Sequence, residues 1–162
     1  MLGNDTILII LGATAIANLG LAAVIFFINS KAAANQLFAA WMLSLSCWAL
    51  ALGGFFTAAD STEATLWMRV AYAVAAVAVF CFWYFATQFP DPVPLRTPLH
   101  LSNIAAVALF VASIMVTPLI VRGVDGFPWA EHVVISSLGW VIYAAYLLYF
   151  FLSAHALLLL KY

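Results

Sequence analysis

Residues 37–58 read LFAAWMLSLSCWALALGGFFTA, a run without a single charged side chain and long enough to cross a bilayer as a helix at about 20 residues per span. Within it Ala40, Ser44, Cys47, Ala51, Gly54 and Ala58 recur at alternating steps of four and three, which gathers six small residues on one helix seam. Phe38, Trp41, Leu45, Trp48, Leu52 and Phe55 repeat the same rhythm on the adjacent face. A bulky ridge beside a small-residue groove lets a second backbone approach closely, so the stretch is expected to be a packed transmembrane helix with this seam buried.

The surrounding sequence has the same character. Its residues are 68% hydrophobic and 7% charged, against about 25% charged in a soluble domain, so it cannot surround a core with a polar surface. Lipid must then be the solvent for most side chains, as a mean hydropathy of +1.16 also requires. Long apolar runs lack the alternation of a lipid-facing barrel strand, so the backbone must satisfy itself inside helices. The expected fold is all-α: a polytopic membrane helix bundle of about five spans, near residues 7–28, 37–58, 64–89, 99–120 and 133–160, forming a single transmembrane domain over 1–162. The breaks are legible as chemistry. Asn29–Lys31 and Asp60–Glu63 are polar turns, Pro90, Pro92, Pro94 and Pro98 forbid a regular helix, and RGVDGFPWAEH (122–132) is a glycine- and charge-bearing loop.

Five basic residues set the expected orientation. With the N-terminus outside, Lys31, Arg96 and Lys161 fall inside, and Arg122 falls outside with Arg69 near the outer end of the third span, so the positive-inside rule favours N-out and C-in. The opening MLGNDT carries no positive charge ahead of its apolar run, and the first run is expected to stay as a helix rather than be cleaved as a signal peptide. The scattered basic residues and a net charge of −1 leave no electrostatic footprint for nucleic acid. Cys47 and Cys81 both fall in apolar runs and are expected to act as small hydrophobes, not as a disulfide or metal pair.

Few polar groups interrupt the spans, and these are the candidates for function. Arg69 is the charge expected inside a span, with its guanidinium near Asp60, Glu63 or polar groups on span five. An intramembrane ionisable residue is a functional suspect, although a long stem can also carry its charge to the interface. His132, Ser136, Trp140 and Tyr143 are spaced four, four and three, which places them on one face of the outer half of span five, and Tyr146 and Tyr149 continue around the helix. Together with Arg69 they are expected to line an outward-facing ligand cavity with few polar groups in an apolar wall; the competing use of such residues is an interfacial aromatic belt. Asn18, midway along span one, should face another helix and form an interhelical hydrogen bond worth about 0.6 to 2 kcal/mol. His100 and His155 are the only pair that facing helices could offer as haem ligands. No nucleotide loop, metal cluster or catalytic spacing of serine, cysteine or carboxylate is present in the sequence, so neither an enzymatic activity nor, haem aside, a cofactor is expected.

Three segments carry a family resemblance: NQLFAAWMLSLSCWAL (35–50), EATLWMRVAY (63–72) and FCFWYFATQF (80–89). Together they resemble the N-terminal multispan region of bacterial sensor histidine kinases. In that family an asparagine and a leucine-phenylalanine pair open the second span, tryptophan-alanine-leucine lies within it, and a tryptophan-x-arginine-x-x-tyrosine pattern opens the third. Asn35, Leu37, Phe38, Trp48, Ala49, Leu50, Trp67, Arg69 and Tyr72 match. The resemblance covers roughly the first ninety residues and implies a seven-span input region, of which this chain holds five spans, begun outside the cell and feeding a kinase or cyclase output, often through a dimer. The function it implies is membrane-embedded sensing of a small or lipophilic stimulus in the bacterial inner membrane, as a homodimer or with a partner membrane protein. The alternatives are a haem- or quinone-binding membrane carrier or redox subunit, and a structural module that assembles with another membrane protein through the span-two seam.

Overall fold

A computed structural model describes residues 4–93, 97–125 and 132–161, with the side chains of 97–100 and of His132 outside the description. Five helices follow one another: α1 (Asn4–Ile28), α2 (Ala33–Thr57), α3 (Ser61–Gln88), α4 (Thr97–Val116) and α5 (Ser137–Leu160). A short antiparallel hairpin, β1 (Val121–Asp125) and β2 (His132–Ile135), joins α4 to α5. The four helices α1, α2, α3 and α5 are each long and apolar enough to cross a membrane. With 24 to 28 residues each, they extend at least about 36 Å, beyond the roughly 30 Å hydrocarbon thickness. Their outer faces are ones that water would not tolerate: Ile16 is 74% exposed, Phe27 80% and Leu160 85%. This is a membrane protein by the surface it presents.

Helix α3 is the hub. It packs against α2 on one side and against α4, α5 and β1 on others, while α1 reaches the rest through α2. Its buried side chains are mostly alanine, with Ala64, Ala71, Ala73, Ala76, Ala78 and Ala86 among them, so neighbouring backbones can close on it from several directions. One apolar cluster joins Ala51, Met68, Ala71 and Ala76 to Ile114, Ile120, Val121 and Tyr143 at the hairpin end. A second, nearer Lys161, joins Trp83 and Ala86 to Val107, Phe150 and Ala154.

The turns are built by side chains that satisfy helix ends. After α1, Asn35 donates from Nδ2 to the Ile25 carbonyl at 3.1 Å and Gln36 from Nε2 to the Ser30 carbonyl at 2.8 Å. Before α3, Asp60 accepts from the Glu63 amide at 2.8 Å while Glu63 reaches back to accept from the Ala59 amide at 2.8 Å. This is close to a reciprocal capping box. At the far end of α3, the Lys161 ammonium donates to the carbonyls of Ala86, Thr87 and Phe89 at 2.9, 3.3 and 2.9 Å, tying the end of α5 to the end of α3.

The expected boundaries of spans four and five are corrected. Helix α4 stops at Val116, ahead of Pro118, and residues near 120 and 133 belong to strands. Valine-rich VRGVD and HVVI pair in the register Val121↔Ile135 and Asp125↔His132, with an irregularity between Val121 and Gly123. Branched side chains at this density favour a pleated pair over helix. The bundle is helical as expected, with this short hairpin as the departure, closing it at one end. Gly139 permits that closure: a Cβ there would run into the Leu119 carbonyl and the Ile120 backbone, so only glycine lets the first turn of α5 seat against the chain leaving α4.

The small seam of α2 divides between neighbours. Ser44 lies 3.8 Å from the Cys81 sulfur, Ala51 enters the α3 cluster, and a Cβ on Gly54 would fall within the Trp67 indole. Cys47 by contrast is exposed, Ala40 lines a groove shared with α1, and Ala58 caps the helix. A second face carries Met42, Ser46 and Ala49, all buried, and Ser46 donates to the Ala15 carbonyl of α1 at 2.8 Å. The expectation for Asn18 is also corrected. Its Nδ2 donates to the Thr14 carbonyl of its own helix at 3.0 Å, four residues back, and not to a neighbouring helix.

Candidate functional site

The polar residues expected to share one cavity are placed in two. Arg69 lies in the third turn of α3, half-buried, and points across to the end of α4 and the start of the hairpin. Its Nε and Nη2 both donate to the Val121 carbonyl, at 3.3 and 3.2 Å, and its Nη1 to the Met115 carbonyl at 3.4 Å. Met115 is in the last turn of α4, where a carbonyl has no intrahelical donor. The expected acidic and span-five partners are thus replaced by backbone oxygens. A planar fork meets that geometry better than a point charge would. Beside Arg69 opens a cleft of about 710 Å³, lined by Asp60, Ser61, Glu63, Leu66, Gly123 and Asp125 among others. Two of its carboxylates are committed to helix start: Asp60 caps α3, and Glu63 holds both the Ala59 amide and, at 3.3 Å, the Trp67 indole N–H.

Ser136 is buried and structural in its contacts. Its hydroxyl accepts from the Gly139 amide at 3.3 Å as the N-cap of α5, and its own amide donates to Ile120. His132 pairs with Asp125 through the backbone of the hairpin, and its side chain lies outside the described residues. Trp140 and Tyr143 turn away from Arg69 into a second space.

That second space is a groove along α3. Helices α2 and α5 both pack beside α3 but make no extensive contact with one another. What they leave between them has Ala71, Ala75 and Ala78 of α3 as its floor. Trp41, Leu45, Trp48 and Leu52 of α2 form one wall; Trp140, Tyr143, Leu147, Phe151 and His155 of α5 form the other. The portion nearer the hairpin has a volume of about 340 Å³, the portion nearer Lys161 about 420 Å³, and the two share Trp48 and Ala75. The groove exists because alanines on α3 are too short to fill the gap that aromatic walls hold open. The bulky ridge of α2 supplies one of those walls while also packing on α3, with Trp41 against Phe82 at 4.6 Å and Phe38 against Phe85 at 5.7 Å between ring centroids.

Tyrosines pin the other wall in place. Tyr143 donates from its hydroxyl to the Tyr72 carbonyl at 3.1 Å, and Tyr146 to the Ala76 carbonyl at 3.0 Å, one helical turn further along. Each carbonyl already serves its own helix and uses its remaining lone pair. These two bonds stitch α5 to α3 in the apolar middle. Their common spacing from Tyr143 to Tyr146 is the signal available in the sequence. Tyr149, in contrast, is exposed.

His155 lies at the Lys161 end of the groove. Its ring packs against Phe151 and Phe82, with centroids 4.2 and 5.4 Å away, and its Nδ1 is 2.8 Å from the Phe151 carbonyl. His100 is in the first turn of α4 with its side chain outside the described residues, so the haem pairing falls there too. Among the described residues no three His, Cys, Asp or Glu side chains converge. No protein-family model, curated protein or solved structure matches this chain.

Proposed function

We propose that the protein is a membrane-embedded sensory input region, crossing the bacterial inner membrane five times with the N-terminus outside, and that a lipophilic stimulus entering the groove between α2 and α5 is what it reads. The observation that carries this reading is the groove itself: an apolar, aromatic-walled space flanked by two helices that share a hub without bracing one another. An occupant that fits one spacing of α2 and α5 better than another shifts the population between them. Lys161, at the end of α5, would carry such a shift to the inner face, where an output domain or partner protein receives it. The resemblance to sensor histidine kinases supplies the class of output, and a dimer is the assembly through which it works.

The test needs no knowledge of the stimulus. Ala75 and Ala78 lie on the groove floor, so leucine at either position occupies the space a ligand would take. With residues 1–162 fused ahead of a reporter kinase, Ala75→Leu and Ala78→Leu are expected to shift basal phosphorylation away from the parent level. Unchanged output from two variants that fold and insert normally would sink the proposal. A second reading, a quinone-binding carrier, is favoured by the position of His155 beside the aromatic walls. Reconstitution with a quinone pool separates the two, since a carrier alters quinone turnover with no output domain attached. A visible absorption spectrum of the purified protein tests the haem form of the same reading.

A further inference from the structure

The residues lining the Lys161 half of the groove are Trp41, Leu45, Trp48, Ala75, Ala78, Val79, Phe82, Phe151 and His155, and their side chains carry one hydrogen-bond acceptor between them. Indole N–H groups only donate, and the rest are hydrocarbon. That acceptor is on His155. The Phe151 carbonyl, 2.8 Å from Nδ1, can only accept, so the proton of the neutral imidazole is on Nδ1 and the free lone pair is on Nε2. No hydrogen bond to Nε2 is made among the described residues. The Phe151 bond and the tilted rings of Phe151 and Phe82 favour this orientation of the exposed imidazole over the one with its nitrogens exchanged.

The size of the space restricts its occupant further. From Trp140 to His155 the wall runs fifteen residues of α5, roughly 22 Å at helical rise. A helix about 10 Å across over that length would need on the order of 1,700 Å³. The two portions of the groove, about 340 and 420 Å³, are far too small to seat one, yet fall in the range of small-molecule sites. An extended hydrocarbon chain is the shape that fits.

We infer that the groove between α2 and α5 binds a single-chain lipophile ending in a hydroxyl group, with its tail along Ala71, Ala75 and Ala78 and its O–H donated to Nε2 of His155. A long-chain alcohol or prenol has this chemistry; an ester or ether of the same chain lacks the donor. The inference deepens the sensory reading by naming the ligand class, and depends on that reading only for what binding accomplishes.

Because Trp41 and Trp48 line the site, a brominated chain within it quenches their fluorescence. The test uses the full chain in nanodiscs, with dibromooctadecanol as quencher and unlabelled octadecanol or its methyl ether as competitor. Saturable quenching is expected, with the alcohol competing about fivefold better than the ether, the value of one net hydrogen bond. His155→Phe keeps the aromatic packing and should bring the two competitors level. Ala75→Leu should remove the saturable component for both, and Ala78→Val is the milder filling substitution should the first disturb folding. Equal competition in the parent, or a preference for the alcohol that survives in His155→Phe, would overturn the inference. A failure of the sensory reading looks different: the alcohol binds with the stated preference, while the reporter-kinase fusion stays silent to it.

Discussion

Arg69 holds the hairpin end of the bundle together, and its removal has a magnitude that follows from the geometry. Two carbonyls depend on it: Val121 receives two N–H groups at 3.2 and 3.3 Å, and Met115 one at 3.4 Å. Hydrogen bonds from a charged donor contribute about 1.5 to 3 kcal/mol. These are at or beyond the long end of the usual N–H···O range, which favours the lower figure for each carbonyl served. Arg69→Ala is therefore expected to cost about 3 kcal/mol, as both carbonyls lose their donor at the edge of an apolar cluster. Arg69→Lys should cost about half as much, because one ammonium on a shorter stem cannot reproduce a fork reaching two acceptors. Equilibrium unfolding in mixed micelles, followed by far-ultraviolet circular dichroism, gives both values. Protease sensitivity between residues 121 and 135 should rise in the same order. The reasoning fails if Arg69→Lys matches the parent and Arg69→Ala costs less than about 0.5 kcal/mol, the level of an unremarkable surface substitution. That result would mean that the guanidinium merely rests against oxygens which lipid headgroups or water serve equally well.

Other substitutions report on packing and topology. Gly139→Ala pushes a methyl group into the Leu119 carbonyl and should destabilise the protein by about 1 to 3 kcal/mol; an unchanged thermal midpoint would show that the α4–α5 connection moves aside without strain. Gly54→Leu should be as damaging, through the Trp67 indole, with a change in tryptophan emission marking the displaced ring. Tyr146→Phe removes the bond to Ala76 and should cost about 0.6 to 1.7 kcal/mol in the same unfolding assay, a range that a null effect would contradict. For orientation, cysteine at Thr62 in a background lacking Cys47 and Cys81 should be labelled by an impermeant maleimide in intact cells, and cysteine at Ser30 should not. The opposite pattern would invert the proposed topology.

The candidate site was only partly legible before folding. Trp140 and Tyr143 were recognisable as sharing a helix face, since spacing along one helix is a local property. Their separation from Arg69 was not, because it depends on where α3 points the guanidinium relative to the chain leaving α4. The capping residues could have been found: aspartate followed three positions later by glutamate, at Asp60 and Glu63, is a helix-start signature. Lys161 offered no such signal, because the carbonyls it serves belong to a helix some seventy residues earlier.

The amino-acid sequence by itself determined the solvent and the existence of the helices. A chain so poor in charge must meet lipid, and in lipid the backbone must bond within each segment, so long apolar runs become helices wherever polar turns and prolines leave them room. These constraints act over a few residues at a time and can be read in order. Tertiary structure decided everything that depends on pairs distant in the chain: the splitting of the α2 seam between α1 and α3, the strands where a fifth span was expected to begin, the carbonyls that take Arg69, and the groove. Helices in lipid gain little from burying apolar surface, because lipid is as apolar as a neighbouring side chain. Which faces meet is therefore settled by shape and by single hydrogen bonds, such as alanines that admit a backbone and tyrosines that reach across, and these are properties of the assembled bundle.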